Sequence, residues 1–143
     1  MNDKQQFKMQ MESRTRKFAV SVFQFIESLQ LSPSIKVIAY QLGKSASSIG
    51  ANYREANRSE SKEDFIHKIS IALKESSETL YWLEIIEDLG YGDEKFAKIK
   101  GECEELLKLM QTINRTLRTK KKYHSNIPTF QHSNIRTLTH ERY

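Results

Sequence analysis

The chain is poor in cysteine. Cys103 is the only cysteine among 143 residues, so no disulfide can form within the chain and no second thiolate is available for a zinc site. A thiol at that position in a helical stripe is expected to behave as a small apolar core group, and its pKa is expected to rise. We therefore expect a reducing compartment and no reactive thiol.

Long apolar segments are also missing. The most apolar run, residues 18–26, is too short and too polar to span a bilayer. The first residues, MNDKQQ, lack the apolar core of a secretory signal. These absences predict a protein of the cytoplasm that does not act in a membrane.

Glycine and proline are scarce, and this disfavours loop-rich and all-β structures. The sequence has five glycines and two prolines, and helix-favouring leucine, lysine and glutamate are common instead. A chain of this length has room for one domain with one core. The composition therefore predicts a single all-α domain.

Four segments carry apolar residues at the three- and four-residue spacing of an amphipathic helix. They span about residues 11–29, 33–57, 61–89 and 93–117. The connections between them are short, which is typical of antiparallel neighbours. We expect an antiparallel, up-down-up-down four-helix bundle over residues 13–120, preceded by a flexible N-terminus (1–12) and followed by a flexible, basic C-terminal tail (121–143) that is disordered until bound.

The expected second helix has unusual small residues in its middle. Ser32 precedes Pro33 as a helix cap, and Gly43 and Gly50 follow inside the helix. Each interior glycine costs about 1 kcal/mol relative to alanine. They indicate either a close approach of a neighbouring backbone or a local irregularity, and we favour close packing.

Basic residues are concentrated at both ends of the sequence. Residues 1–58 hold nine basic and four acidic residues, residues 59–114 hold seven and thirteen, and residues 115–143 hold seven and one. Such asymmetry is typical of surfaces that bind polyanions, although acidic and basic helices also pair within a bundle or an oligomer. The residues that we expect to contact nucleic acid are Arg54, Arg58, Arg115, Arg118, Lys120, Lys121 and Lys122.

Each basic group also has a purely structural interpretation. Cations near the end of the fourth helix, such as Arg115 and Arg118, gain from the helix dipole, but the cluster exceeds that need.

On the second helix, Asn52 and Glu55 lie three residues apart and are expected to hold the turn to the third helix or to contact a neighbouring subunit.

No pattern in the sequence indicates catalysis or a cofactor. Asp64 and His67 have the spacing of half a di-iron site, but no facing pair exists, since the next histidine is His124. The sequence has no glycine-rich phosphate loop and no HExxH motif. We expect a protein that is not an enzyme, with no metal and no cofactor.

The segment SIGANYRE, residues 48–55, resembles the four-helix-bundle family of 23S rRNA intervening-sequence proteins, also described as ribosomal-protein-like. The resemblance continues through Ser61, the SIAL segment at 70–73 and Glu78, and covers about residues 13–118. The sequence departs from the family at Gly50, where many members have proline, and at Ala56, where many have glycine. The first departure predicts a straighter second helix.

The resemblance implies a non-enzymatic bundle that often forms a homopentameric ring. It also implies a relationship to the accessory protein of diversity-generating retroelements, which binds nucleic acid and a reverse transcriptase. Asn52, Glu55, Ser61 and Glu78 match the family's polar positions, and we assign them structural or interface roles.

Two large aromatic residues indicate self-association. Tyr81 and Trp82 flank the apolar stripe of the third helix and do not belong to it, which favours burial against a partner. The sequence thus supports two functions. One is an oligomeric bundle, such as a pentamer, that binds RNA or DNA through a basic surface. The alternative is an adaptor that assembles with itself and with a protein partner, without physiological nucleic-acid binding.

Overall fold

A computed structural model of the chain describes the backbone of residues 1–125 and the side chains of residues 1–120. The whole of the expected tail (121–143), including Lys121 and Lys122, lies outside the described side chains, so the binding predicted for these two lysines stays a prediction. The helices are α1 (Asp3–Ser28), α2 (Pro33–Asn57), α3 (Lys62–Asp88) and α4 (Glu94–Ser125). The described residues contain no β-strand, and the all-α prediction is confirmed.

The helices form the predicted antiparallel bundle. Each packs against its neighbours in sequence, and α1 also packs against α4. The start of α1 meets the end of α2 where Glu12 contacts Arg54, and the start of α3 meets the end of α4 where Ser70 contacts Asn114. Consecutive helices therefore run in opposite directions.

The expected start of the first helix, near Met11, was wrong. The helix begins at Asp3, and the Asn2 side chain caps it by accepting a hydrogen bond of 2.8 Å from the backbone N–H of Gln5. Much of the segment expected to be flexible is thus the beginning of α1. Phe7 and Met9 in these turns are exposed, so no core-facing periodicity marks this part of the helix.

The backbone of the fourth helix extends beyond residue 120, where the bundle was expected to end. The helix α4 continues to Ser125, because neither glycine nor proline occurs between Leu117 and that residue. The backbone beyond the apolar stripe therefore extends the helix, and Arg118 and Lys120 lie on it.

The predicted cap at Ser32 is confirmed, and α3 and α4 also begin with side-chain caps. Ser32 and Ser61 accept hydrogen bonds from the backbone N–H groups of the third residues after them, at 3.3 and 3.1 Å. Asp93 caps α4 in the same way at 2.7 Å from Phe96 N. Gly90, after α3, has a φ of +91°, which is a left-handed conformation that favours glycine.

The glycines of α2 lie where side chains of α1 approach its backbone closely. A Cβ atom added at Gly50 would lie 2.9 Å from Thr15 Oγ1, and one added at Gly43 would lie 2.9 Å from Phe23 Cε1. The predicted close packing is confirmed, and α2 is one continuous helix through both glycines. A side chain at Gly50 would push the two helices apart, because Thr15 is fully buried, whereas at Gly43 the exposed Phe23 ring could move.

The core contains buried hydroxyl groups that the apolar pattern does not predict. Thr79 Oγ1 donates to Ser45 Oγ at 3.0 Å and so links α3 to α2. Thr15 and Ser76 donate to backbone carbonyls of their own helices. Each buried hydroxyl therefore has a partner, which avoids the cost of an unsatisfied polar group.

Cys103 lies fully buried among these groups, as expected. Its thiol is 3.6 Å from the carbonyl oxygen of Ser76. Burial raises the pKa of the thiol to about 12, because the thiolate would lose its hydration. The thiol is therefore a neutral core group at physiological pH.

Candidate nucleic-acid interface

The antiparallel arrangement gathers the predicted basic residues at one end of the bundle. We call this the α2–α3 end, where α1 and α3 begin and α2 and α4 end. Arg54 and Arg58 lie in the last turn of α2 and at its C-cap, and Arg115, Arg118 and Lys120 lie in the last described part of α4. Residues about 60 positions apart in sequence therefore share one end of the molecule.

The two arginines of α2 share one carboxylate. Glu12 Oε1, on α1, lies 3.3 Å from Arg54 Nε and 3.2 Å from Arg58 Nη1. Asn57 Nδ2 donates to the other oxygen of Glu12 at 3.4 Å. Two positive charges are thus offset by one negative charge, and both guanidinium groups already have an anionic partner.

The environment of Arg118 differs from that of these arginines. Its Nη2 donates to Ser70 Oγ at 3.0 Å, and its Nε donates to Asn114 Oδ1 at 3.3 Å. Ser70 Oγ also contacts Asn114 Oδ1 at 3.2 Å. Among the described side chains, Arg118 has neutral hydrogen-bonding partners and no carboxylate within 4 Å.

This arrangement favours anion binding by Arg118. Its partners orient the guanidinium without offsetting its charge, so less side-chain entropy remains to be lost when a phosphate binds. The side chain is exposed, and Nη1 is not used by either neutral partner. Arg115 is also exposed, three residues earlier on the same helix, whereas Lys120 is half-buried.

The polar residues of the α2–α3 turn have local partners. Glu55 Oε2 lies 2.8 Å from Lys68 Nζ on α3, and this carboxylate raises the pKa of Lys68. Asn52 Nδ2 donates instead to the carbonyl oxygen of Ser48 in its own helix, at 2.8 Å. The contact to the third helix expected of both residues is thus made by Glu55, while Ser61 caps that helix.

The aromatic residues of α3 lie near the opposite end of the bundle. Tyr81 is 57% exposed, and its ring contacts Trp82 edge-on, with the centroids 5.2 Å apart and the planes at 72°. Trp82, which was expected to lie outside the apolar stripe, instead packs partly against the core. Its indole N–H donates to Glu78 Oε1 at 3.4 Å, which gives Glu78 a role in fixing the indole.

Two ion-pair positions were missed from the sequence. Glu12 is the anionic partner of the α2 arginines, and Arg14 forms a two-pronged pair with Glu102 of α4 at 2.6 and 2.8 Å. The Glu102 carboxylate raises the pKa of Arg14. The sequence shows that acidic and basic residues occur on these helices, but it does not show which of them form pairs.

The described residues show no metal site and no membrane segment. They contain no group of three or more histidine, cysteine or acidic side chains arranged to hold a metal ion. His67, which was weighed with Asp64 as half of a di-iron site, is exposed. Within the same part of the chain, no helix has the length and apolar character needed to cross a bilayer.

Comparisons with known proteins agree with the fold. The model of the family described as 23S rRNA-intervening sequence protein matches residues 8–112. The chain is also similar to the crystal structure of a protein of unknown function from the S23 ribosomal protein family of Bacteroides thetaiotaomicron. The two are 34% identical with a TM-score of 0.65, over 73% of this chain and 97% of that one. Among curated proteins, none matches the chain.

Proposed function

The chain belongs to the family of 23S rRNA-intervening sequence proteins, and from this premise we propose that it is a non-enzymatic, oligomeric bundle of the cytoplasm that binds RNA or DNA at its α2–α3 end. The observation that carries the proposal is the exposed Arg118, oriented by Ser70 and Asn114 with its charge uncompensated. Arg115 adds a second exposed cation on the same helix.

Nucleic acid is the ligand class that this surface fits best. Phosphate groups repeat along a strand, and helix-borne arginines bind them with two parallel hydrogen bonds. Lys120, Lys121 and Lys122 continue the basic sequence of α4 by three further charges. Arg54 and Arg58 are held by Glu12, so we assign them a secondary role.

The test is fluorescence anisotropy with labelled RNA and DNA between about 50 and 200 mM salt, because phosphate contacts release counterions and make affinity depend on salt. The double variant Arg115→Gln/Arg118→Gln is compared with Lys95→Gln/Lys98→Gln, which removes the same charge from exposed positions at the start of α4. The plot of log K against log salt has a negative slope, and loss of two phosphate contacts in the arginine variant should make it shallower by about 1.4 to 1.8.

The result decides between the two candidate functions. A reduced slope only in the arginine variant, with circular dichroism and oligomer mass unchanged, supports nucleic-acid binding at the α2–α3 end. Equal slopes in both variants would mean that binding is diffuse. No binding by the unmodified protein at low salt would favour the adaptor function, for which the exposed aromatic residue Tyr81 is the supporting observation.

A further inference from the structure

Two exposed apolar faces of the bundle carry opposite charge, and we propose that the α1–α2 face of one copy binds the outer edge of α3 on a second copy. The inference rests on the oligomeric assembly that forms part of the proposed function. It adds the two surfaces that make the contact and the charged residues that direct it.

The α1–α2 face is a concentrated group of exposed apolar side chains. Single exposed apolar residues are ordinary, whereas clustered ones mark contact surfaces. Three of them, Phe23 (45% exposed), Leu31 (55%) and Tyr40 (66%), line an open groove of about 420 Å³, whose lining includes Lys36 and Lys44 and no acidic residue. Val20 (51%) and Val37 (60%) are further exposed apolar residues of the same two helices.

The α3 edge has an aromatic centre and acidic surroundings. Tyr81 is exposed and is supported from one side by the Trp82 ring. Residues 75–88 contain five acidic residues and no basic residue. Among these, Glu84 and Asp88 are exposed and follow Tyr81 by three and seven residues, so they share its side of the helix. The exposed Lys74, seven residues before Tyr81, lies on the same side, and the two carboxylates outnumber this cation.

Charge selects the pairing between unlike faces. Two α1–α2 faces in contact would bring the lysines at positions 36 and 44 of both copies together, and two α3 edges would bring their carboxylates together. Both like-with-like pairings are repulsive, while a groove that receives an acidic edge is attractive. Tyr81 is a residue type that dominates binding energy when it fills a groove on the partner.

Each such contact uses the α1–α2 face of one copy and the α3 edge of another copy. Tyr81 is exposed and is not among the residues that line the groove of its own chain. A contact between two different faces is heterologous, and it propagates from copy to copy, giving a ring where the rotation closes and an open filament where it does not. The same geometry leaves one free face on each copy of a dimer.

The experiment uses two variants of the full chain, Tyr40→Glu and Tyr81→Glu, each of which damages one face. Light scattering coupled to size exclusion measures the mass of each variant alone and of an equimolar mixture. Both positions are exposed, so folding should persist, and circular dichroism verifies it. Each variant alone should associate at least about thirtyfold more weakly than the unmodified chain.

The mixture distinguishes the proposed pairing from the alternatives. An intact edge of one variant can bind the intact groove of the other, while the two introduced carboxylates prevent the damaged faces from pairing. A one-to-one complex in the mixture is therefore expected. Two variants that each dissociate but do not bind one another would overturn the inference, because the intact groove of one variant and the intact edge of the other would then have failed to form the proposed contact.

The control is Met9→Glu, which places the same charge at an exposed apolar position outside both faces. It should assemble like the unmodified chain. Unchanged assembly of Tyr40→Glu would refute the inference and leave the proposed oligomer intact. A monomeric mass for the unmodified chain would refute the inference together with the assembly, while the anisotropy slopes would still test nucleic-acid binding separately.

Discussion

Adding one methyl group at each of three helical glycines should have three different effects on stability. Gly101 lies in α4 with no atom within 4 Å of an added Cβ. Its replacement by alanine should raise the free energy of unfolding by about 0.5 to 1 kcal/mol, because alanine loses less backbone entropy on folding. This variant measures the gain in helix propensity free of any packing change.

Gly50→Ala should gain the same propensity and lose more through overpacking. Its Cβ would lie 2.9 Å from Thr15 Oγ1 and 3.1 Å from Thr15 Cβ. Thr15 is fully buried, and its hydroxyl donates to Met11 O at 2.8 Å. Rotating the side chain away would break that buried hydrogen bond, so the helices must shift, at about 1 to 3 kcal/mol. We expect a net loss of about 0 to 2 kcal/mol.

Gly43→Ala should lie between these two. Its added Cβ meets the Phe23 ring at 2.9 Å, but that ring is 45% exposed and can tilt toward solvent. The expected change is close to zero or mildly stabilising. Comparing it with Gly50→Ala separates contact with a yielding side chain from contact with a fixed one.

Urea denaturation followed by circular dichroism measures all three variants at one protein concentration, since assembly would otherwise contribute to stability. The midpoints should rank Gly101→Ala first, Gly43→Ala second and Gly50→Ala last, with equal m-values. A Gly50→Ala midpoint as high as that of Gly101→Ala would refute the close approach of α1 and α2 as the reason for the glycine.

Three further changes test other parts of the structure. Glu12→Gln should free the two α2 arginines and raise nucleic-acid affinity in the anisotropy assay, and an unchanged affinity would place both arginines outside the interface. Ser61→Ala should cost about 1 kcal/mol in urea denaturation through loss of the α3 cap, while Ser77→Ala, at an exposed position, should cost little. Because the folded pKa of Cys103 is raised to about 12 from 9.0, its contribution is complete below pH 9 and is lost as pH rises toward 12. The free energy of unfolding should therefore fall less steeply between about pH 9 and 11 in Cys103→Ala than in the unmodified chain. An equal dependence on pH in the two proteins would contradict the raised pKa of Cys103.

Local features of the fold were predictable because they depend on residues close in sequence. Apolar spacing identifies the side of each helix that faces the core. A serine just before the start of such a segment identifies a helix cap. The close approach at Gly50 was predictable for a related reason, since an interior glycine is costly unless a neighbour needs the space. These signals together also give the antiparallel order of the helices.

Partners across helices were not predictable in the same way. The Glu12 contacts with Arg54 and Arg58 join residues more than 40 positions apart, and they depend on the axial register and rotation of α1 against α2. An amphipathic stripe does not fix the axial register or the rotation closely enough to identify which charged side chains meet. The sequence therefore marks the arginines as candidates but does not show that one carboxylate offsets part of their charge, nor that Arg118 escapes such an ion pair.

The two proposed surfaces have a joint geometric consequence. In a closed ring, every copy is related to the next by rotation about one axis, so the α2–α3 ends of all copies occupy equivalent positions around it. A single Arg115 and Arg118 pair offers few phosphate contacts, whereas a ring repeats that pair once per copy. Binding of one end raises the effective concentration of the same strand at the next. Assembly through Tyr40 and Tyr81 would therefore increase nucleic-acid affinity without either tyrosine touching the nucleic acid.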